Sequence, residues 1–349
     1  MEVSIPPLAE LYPEGALLDC LDSLRGVSVA IVGFGKMGLL HSTILNMLVD
    51  GIVKYVVDRS FVVRFGFSRL FKKSIFKKNL DEVLDSSVDM VYITTPTYSH
   101  YPMLRNVLSR GVRAIFVEKP PTASYEQLRS LVDLARGRIT MAGFQKRFAL
   151  PFRHARLLIE SGLLGSVESI EAYIRSGDIT EPTERFRGLG RGVLLDLGLH
   201  LVDLLAWFFK DLRVEKASCR SIFSGVDDYC ELLLGSREGF EVGATVTWSD
   251  PSLRVPETLI RVKGSKGLLE VSEDYLRIST ASNEKTFYRP HYYQGIPPVL
   301  VADPEYTIEN MHLLLSLAEN RDTGVNLDSA LPAMRIIDEA YALQGSSHG

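Results

Sequence analysis

The 349-residue chain has few cysteines, no long apolar run and no excess of positive charge. Cys20, Cys219 and Cys230 are odd in number and lack C-x-x-C spacing, so we expect buried or incidental thiols in a reducing compartment. The net charge of −4 and the pI near 6.0 give no electrostatic footprint for nucleic acid. No apolar run approaches bilayer length, and no cleavable apolar segment follows the acidic start. We therefore expect a cytoplasmic protein without a membrane partner.

The composition is that of an ordinary globular protein, and the length indicates more than one domain. Hydrophobic residues make up 46% and charged residues 23% of the chain, and its length exceeds that of a typical single domain. We predict an N-terminal extension over 1–26, a nucleotide-binding domain over 27–146 and a substrate and oligomerisation domain over 147–325. The last segment, 326–349, is predicted to be a helix that packs back on the first domain.

One stretch near the start has the spacing of a dinucleotide-binding loop. Four apolar residues, Val29 to Val32, run into G-x-G-x-x-G, and an apolar helical pattern follows. The first glycine allows a tight turn, the second lets a pyrophosphate approach the backbone, and the third lets the helix pack on the strand. The free N–H groups of the helix then face the phosphates. The alternative is a structural turn without a ligand. The loop residues are Gly33, Phe34, Gly35, Lys36, Met37 and Gly38.

The residue that ends the second predicted strand bears on the choice of cofactor. Asp58 lies 20 residues beyond Gly38, where such a fold places a carboxylate on the adenosine ribose. A carboxylate there would repel a 2′-phosphate and favours NAD, whereas the neighbouring Arg59 could accommodate that phosphate in NADP. The alternative for Asp58 is an N-cap of the next helix.

Further polar residues follow the later strands of the same domain. Thr94, Thr95 and Pro96 end the fourth strand, at the sheet edge where ligands bind in open α/β folds. His100 starts the next helix and either contacts the cofactor or faces water. Lys119 follows the fifth strand between Glu118 and two prolines, and either points over the sheet or belongs to a surface turn. Six strands alternating with helices predict a doubly wound parallel sheet.

After Gly165 the pattern changes to strands without helices between most of them, which predicts a mostly antiparallel sheet. One apolar helix, 193–209, interrupts it. It carries Asp196, His200 and Asp203 at spacings that place them on one face, where we expect them to be nearly buried. Three interpretations of these groups are open: a face for proton transfer, a metal site, or side chains that hydrogen-bond to helix ends. We favour proton transfer, because a dinucleotide domain needs a proton acceptor, and predict no metal.

Five motifs in order resemble the Gfo/Idh/MocA oxidoreductase family over nearly the whole chain from residue 27. The resemblance implies an N-terminal Rossmann domain and a C-terminal α/β domain whose large open sheet commonly serves oligomerisation, and hence a homodimer or homotetramer. The motifs are the glycine loop, Thr95-Pro96-Thr97-Tyr98-Ser99-His100, Glu118-Lys119-Pro120, Gly143-Phe144-Gln145-Lys146-Arg147-Phe148, and the segment Gly192 to Asp203.

The resemblance also implies roles for individual residues. Lys119 would be the lysine that faces both cofactor and substrate, and Asp196 and His200 the pair that contacts the substrate hydroxyl. Thr97 stands where the family often has asparagine, and Gln145 precedes Lys146-Arg147 where an asparagine often precedes an arginine pair. Besides the glycine loop, the expected cofactor residues are Asp58, Arg59, Thr94, Thr95, Pro96, Thr97, His100, Glu118, Lys119 and Arg147. The expected substrate residues are Lys119, Gln145, Arg175, Asp196 and His200, with Arg185, Arg187, the glycine-rich loop 188–192 and His291-Tyr292-Tyr293 as further candidates.

The predicted activity is reversible oxidation of a secondary alcohol on a sugar, sugar derivative or polyol by NAD or NADP. The alternatives are a redox-neutral elimination or glycoside cleavage with retained NAD, and a nucleotide-sensing regulator without catalysis. No residue pattern in the chain selects one substrate within the class.

Overall fold

A computed structural model of the chain describes residues 4–183, 191–294 and 303–345. It divides into two compact units. The nucleotide unit comprises Tyr12–Phe148 and the described part of Ile296–Leu331. The sheet unit comprises the described parts of Met1–Leu11, Ala149–Gly295 and Pro332–Gly349. None of the described helices is both long and apolar enough to cross a membrane.

The described strands follow the predicted order, with two additions at the end of the second sheet. No strands were predicted where β13 and β14 lie, because these strands are short and rich in polar residues. The strands are β1 (Val29–Val32), β2 (Val53–Val57), β3 (Ile75–Lys77), β4 (Met90–Ile93), β5 (Ala114–Val117), β6 (Ile139–Ala142), β7 (Val167–Arg175), β8 (Arg213–Arg220), β9 (Tyr229–Gly235), β10 (Glu241–Thr247), β11 (Glu257–Gly264), β12 (Gly267–Ser272), β13 (Tyr275–Thr280) and β14 (Glu284–Tyr288).

Helices connect the strands of the first sheet and flank the second, and short 3-10 turns cover 13–16, 21–24, 97–99, 145–148 and 328–330. The described α-helices are α1 (Leu8–Leu11), α2 (Leu17–Cys20), α3 (Lys36–Leu48), α4 (Phe61–Ser68), α5 (Asp81–Leu84), α6 (His100–Ser109), α7 (Tyr125–Val132), α8 (Leu150–Glu160), α9 (Val193–Asp196), α10 (Gly198–Phe208), α11 (Arg289–Tyr292), α12 (Pro304–Glu319) and α13 (Leu331–Gly345).

The sheet of the nucleotide unit has the strand order β3-β2-β1-β4-β5-β6, and every neighbouring pair is parallel. This is the predicted doubly wound sheet, and the strand order reverses between β1 and β4. Strands β1, β4, β5 and β6 are buried at every position because helices cover both faces of the sheet. Their carboxyl ends therefore meet at one edge.

From Tyr12 onward, the N-terminal segment packs in the nucleotide unit against α12. Tyr12 donates to the sulfur of Met311, and the buried carboxylate of Glu14 lies 2.7 Å from Nδ1 of His312. Burial of Glu14 is compensated by this pairing.

The sheet unit contains the predicted second sheet, ordered β14-β13-β12-β11-β7-β10-β9-β8. The pair β7 and β10 is parallel, and the other neighbouring pairs are antiparallel. The expectation of a mostly antiparallel sheet is confirmed.

The final helix differs from the prediction that it packs back on the first domain. Helix α13 belongs to the sheet unit, where Arg335 donates to the Leu212 carbonyl and Tyr341 donates to Asp227. It is α12, the helix before it, that packs in the nucleotide unit. The apolar stripes of two consecutive helices do not reveal which core each one covers.

The cysteine prediction was wrong for two of the three residues. Cys219 and Cys230 are directly opposed on the antiparallel strands β8 and β9 and form a disulfide, whereas Cys20 is a free thiol. Their sulfurs and the Asp227 carboxylate lie within 4.8 Å of one another, but the bonded sulfurs offer no thiolate to a metal. Spacing along the sequence could not reveal the pair, because strand register brings these residues together.

Opening this disulfide is expected to destabilise the sheet unit. The bridge closes a loop with a sequence separation of 11, which in a chain-entropy model corresponds to about 3 kcal/mol of stability. Both tryptophans, Trp207 and Trp248, lie in this unit, so their fluorescence reports its unfolding in urea. The Cys219→Ser variant should unfold at lower urea concentration than the wild type, and Cys20→Ser should not. Detection of three reactive thiols in the unfolded, unreduced protein would contradict the bridge.

Stability of the sheet unit is also expected to fall in mild acid because of His154. Burial lowers the pKa of this histidine to about 4, against the opposing effect of the Ser4 backbone. Its Nδ1 lies 2.9 Å from the Tyr292 hydroxyl. Between pH 6.5 and 4 the unfolded state binds the proton and the folded state does not, so stability decreases as pH falls through this window.

The size of the loss follows from the pKa difference and is about 3 kcal/mol. Urea unfolding curves of the wild type and of His154→Gln, recorded from pH 7.5 to 4.5, measure it. The variant should show the shallower dependence on pH. Identical dependence in the two proteins would contradict the assignment.

Candidate active site

The glycine loop is a close-packed turn with an open phosphate-facing side. Gly33 has φ of 90°, which L side chains rarely adopt, and a Cβ at Gly38 would overlap the Gly33 carbonyl oxygen. A Cβ at Gly35 would meet nothing within 4 Å. Gly35 is also the N-cap of α3, without a side-chain hydrogen bond to the helix end. The first amides of the 13-residue helix therefore remain available to an anion, as a pyrophosphate requires.

The neighbouring strands hold this loop from both sides. Asp58 accepts hydrogen bonds from the Phe34 amide at 2.8 Å and from the Ser60 amide at 2.7 Å. Thr94 donates to the Gly33 carbonyl at 2.7 Å. The N-cap of α4 is Ser60, so the alternative of Asp58 as the cap is wrong. Arg59 is exposed beside the carboxylate.

His100 does not face water, which was one of the two alternatives for this residue. It is buried, with Nδ1 2.8 Å from the Pro120 carbonyl and Nε2 2.6 Å from the Thr95 carbonyl. Burial lowers the pKa of the imidazole, against the effect of these carbonyls. The side chain therefore ties the loop after β4 to the turn after β5 and does not face water. Pro96 is exposed and Thr97 is half-buried beside this loop.

The Glu118-Lys119-Pro120 turn follows β5 at the same edge of the sheet. Lys119 is half-buried and its peptide bond to Pro120 is cis. Glu118 is buried, and its carboxylate accepts the Lys119 amide at 3.1 Å and lies 2.9 Å from Nε2 of His41. Glu118 therefore points into the protein, and Lys119 is the partly accessible member of the pair.

The segment after β6 places its polar residues against neighbouring elements of the nucleotide unit. Gln145 donates to the Tyr306 hydroxyl at 3.1 Å. Arg147, expected at the cofactor, is buried, donates to the Ser329 carbonyl at 3.2 Å and lies over the Phe144 ring. These contacts fix the path of the chain where β6 ends.

The acidic-histidine segment lies in the sheet unit and is not one continuous helix. It breaks at Leu197 between α9 and α10, and His200 donates its amide to the Leu197 carbonyl at 3.2 Å. Gly198 allows a close approach to β10, because a Cβ there would lie 3.1–3.2 Å from Leu194 and Val246.

The three polar side chains of this segment differ in exposure. His200 and Asp203 are buried, at 6% and 1% exposure, whereas Asp196 is exposed. The expectation that all three are nearly buried was wrong for Asp196. The tightened turn at Leu197 separates Asp196 from the regular helix that carries the other two.

Other predicted substrate residues already have structural partners. Arg175 pairs with Asp250 at 3.3 Å and Glu257 at 3.1 Å, so its charge is balanced within the sheet unit. Tyr292 is buried and contacts His154, which makes it a core residue. Arg185, Arg187 and positions 188–190 lie outside the described residues.

Comparison with known families decides the identity of this architecture. Residues 27–144 match the model described as "Oxidoreductase family, NAD-binding Rossmann fold" and residues 152–270 match the "GFO/IDH/MocA C-terminal domain". The chain belongs to the Gfo/Idh/MocA family. Both halves of the predicted fold are thereby confirmed, and so is the family's NAD-binding Rossmann domain.

Individual relatives are distant. The rhizopine catabolism protein MocA of Rhizobium meliloti is 28% identical over 56% of this chain and 62% of its own length. The scyllo-inositol 2-dehydrogenase (NAD(+)) of Bacillus subtilis is 29% identical over 51% of this chain and 52% of its own length. The chain thus spans about half the length of the curated relatives it matches.

Among solved structures, the fold is similar to that of a levoglucosan dehydrogenase in complex with NADH and levoglucosan. The TM-score is 0.81 at 18% identity, over 92% of this chain and 97% of the other. This likeness concerns the fold.

Sequence reasoning missed a set of buried polar residues behind the Glu118-Lys119 turn. His41 lies in the apolar pattern of α3 and Asn310 in that of α12, and they contact each other across 269 positions. A histidine or asparagine in an otherwise apolar helix stripe was the available signal.

Two of the three loop glycines, Gly35 and Gly38, provide a matched test of the nucleotide site. Gly35→Ala should leave the melting temperature unchanged but weaken NAD binding by at least about tenfold, because the methyl group projects into open space at the phosphate-facing helix end. Gly38→Ala should lower the melting temperature itself, since its methyl group overlaps the Gly33 carbonyl. Differential scanning fluorimetry and titration calorimetry measure the two effects. Unchanged NAD affinity in Gly35→Ala would contradict the placement.

Proposed function

We propose that the protein is an NAD-dependent oxidoreductase that acts on a secondary alcohol of a sugar, sugar derivative or polyol. The observation that carries the proposal is the position of Lys119. It is a partly accessible lysine whose backbone is held by buried Glu118 on the same sheet edge as the open glycine loop. The names of relatives, which include inositol dehydrogenases and a levoglucosan dehydrogenase, support the same class of substrate.

The proposed chemistry gives the cofactor and each candidate side chain one role. NAD, when bound, supplies the hydride acceptor. The Lys119 ammonium donates a hydrogen bond to the substrate hydroxyl oxygen and stabilises the negative charge that develops there. His200 accepts the hydroxyl proton, and the exposed carboxylate of Asp196 orients the substrate and balances charge.

NAD is proposed over NADP because of Asp58. Its carboxylate already accepts two amides, one of the loop and one of the turn, which fixes its position at the end of β2. A 2′-phosphate close to this carboxylate would be repelled, whereas ribose hydroxyls can donate to it.

We also propose a homodimer or homotetramer through the open sheet of the C-terminal domain. The surface formed by β7, β11, β12 and β13 carries ion pairs between neighbouring strands. Arg261 pairs with Glu270 at 2.7 Å and with Glu171 at 3.1 Å. A two-fold contact would require such a surface to be self-complementary, and alternating charges meet that condition.

Alanine substitution tests the function at two positions, the residue proposed to transfer the proton and the residue proposed to stabilise the alkoxide. Lys119→Ala and His200→Ala are each expected to lower turnover by at least about 100-fold, because each removes a group that acts on the reacting hydroxyl. NAD binding measured by calorimetry should be retained. NADH formation at 340 nm, over a panel of inositols, sugars and sugar nucleotides, gives the turnover.

Lys54→Ala is the matched control, because this lysine is exposed on β2 of the same unit. Wild-type turnover in both Lys119→Ala and His200→Ala would disprove the proposed roles. Product formation without net NADH release would instead favour redox-neutral chemistry. NAD binding without turnover of any substrate would favour a nucleotide-sensing regulator.

A further inference from the structure

A buried polar cluster lies behind the Glu118-Lys119 turn, entirely within the nucleotide unit. Its members are His41 on α3, Tyr92 on β4, Glu118 after β5 and Asn310 on α12, and each is at most 8% exposed. Buried polar groups of this kind are stable only with satisfied hydrogen bonds. The hydrogen-bond contacts of these side chains therefore indicate which of their atoms carry hydrogens.

The contacts of Asn310 fix the orientation of its amide. Its Oδ1 accepts from the Tyr92 hydroxyl at 3.0 Å, and its Nδ2 donates to the Tyr306 carbonyl at 2.7 Å. The second hydrogen of Nδ2 is then directed to Nδ1 of His41, 2.9 Å away. His41 Nδ1 also lies 3.2 Å from Oδ1, but the contact with Nδ2 is shorter and Oδ1 already accepts from Tyr92, so we assign Nδ1 as the acceptor of the Nδ2 hydrogen.

The proton of His41 consequently lies on Nε2. This atom is 2.9 Å from Oε1 of Glu118 and donates to it. The other oxygen of the same carboxylate accepts the Lys119 amide. One buried carboxylate thus joins the imidazole to the backbone of the lysine.

The cluster leaves Glu118 little freedom to move. The imidazole of His41 packs against the rings of Phe116 and Tyr92, with centroids 4.8 and 5.4 Å apart. On the other side, a Cβ at Gly143 would lie 3.1 Å from Oε2 of Glu118. Packing and hydrogen bonds therefore fix the carboxylate together.

We propose that His41 is a positioning residue for Lys119, acting through Glu118, and that Asn310 sets the tautomer in which His41 does so. The proposal rests on the proposed role of Lys119 at the substrate hydroxyl. A misplacement of about 1 Å at a reacting group can cost about 100-fold in rate. The buried cluster would prevent such a displacement.

The tautomer is measured without any substrate. In protein with ¹⁵N-labelled histidine, two-bond ¹H–¹⁵N correlations at pH 7.5 distinguish Nε2–H from Nδ1–H, and the His41 signal is the one lost in His41→Gln. We expect Nε2–H in the wild type. In Asn310→Asp, the carboxylate replaces the Nδ2 donor, and Nδ1 should become protonated. An Nδ1–H tautomer in the wild type, or an unchanged ring in Asn310→Asp, would overturn the assignment.

Kinetics test the positioning role. His41→Leu removes the donor to Glu118 and is expected to lower kcat by about 10-fold to 100-fold with KM for NAD unchanged. His41→Gln retains a donor N–H and should recover part of the loss, which a merely space-filling role would not predict. Ser316→Ala is the matched control, because Ser316 is buried on α12 outside the cluster and its hydroxyl has no hydrogen-bond partner in the part of the chain that the structure describes.

The outcomes separate this proposal from the proposed function. Wild-type kcat in His41→Leu, with loss of turnover in Lys119→Ala, would overturn the positioning role and leave the function standing. Full turnover in Lys119→Ala would overturn the function and with it the positioning role, whereas the tautomer measurement would remain valid. Equal losses in His41→Gln and His41→Leu would also count against the proposal.

Discussion

Parallel pairing of the first six strands is the constraint on which the nucleotide unit depends. Because all six run in the same direction, the residues that follow each strand meet at one edge. Gly33, Asp58, Thr94 and Lys119 lie far apart in sequence, yet each comes within two residues after the end of its strand. The candidate site therefore arises from topology, and no local motif contains it.

The edge is then fixed by short contacts between neighbouring loops. Asp58 holds the Phe34 amide from the β2 side and Thr94 holds the Gly33 carbonyl from the β4 side. His100 joins the Thr95 and Pro120 carbonyl groups further along the edge. Helix α3 adds a second layer, since its first turn borders the glycine loop and its second turn carries His41. Because these contacts already order the loop, it loses little conformational entropy when a dinucleotide binds.

Much of this arrangement could be predicted from the sequence, for identifiable reasons. Buried parallel strands read as apolar runs, and the glycine spacing follows from a close approach that only glycine permits. The parallel arrangement of the strands then predicts that Asp58, Thr94 and Lys119 lie at the same edge of the sheet. The expectation for α6 was accurate at its start, because His100 begins the helix.

The failures share one physical origin, which is pairing between distant parts of the chain. The opposition of Cys219 and Cys230 depends on strand register, and the contact of His41 with Asn310 joins helices 269 residues apart. Asp196 was misjudged because spacing alone assumes a regular helix, whereas the chain tightens at Leu197. The burial of His100 required a partner 20 residues further on.

A second buried carboxyl group, on α12, adjoins the cluster, and its surroundings differ from those of Glu118. Glu309 precedes Asn310 on α12, is 1% exposed, and neither of its oxygens has a hydrogen-bond partner among the described residues. Burial raises the pKa of Glu309 well above its usual range, and the charges of Glu118 and Glu305 raise it further.

Glu118 differs from Glu309 in having two donors, the imidazole of His41 and the amide of Lys119. These two donors satisfy the buried Glu118 carboxylate and hold it against the lysine backbone. The hydrogen-bond donors thus distinguish the two buried carboxyl groups, and one of those donors, the imidazole of His41, itself contacts Asn310.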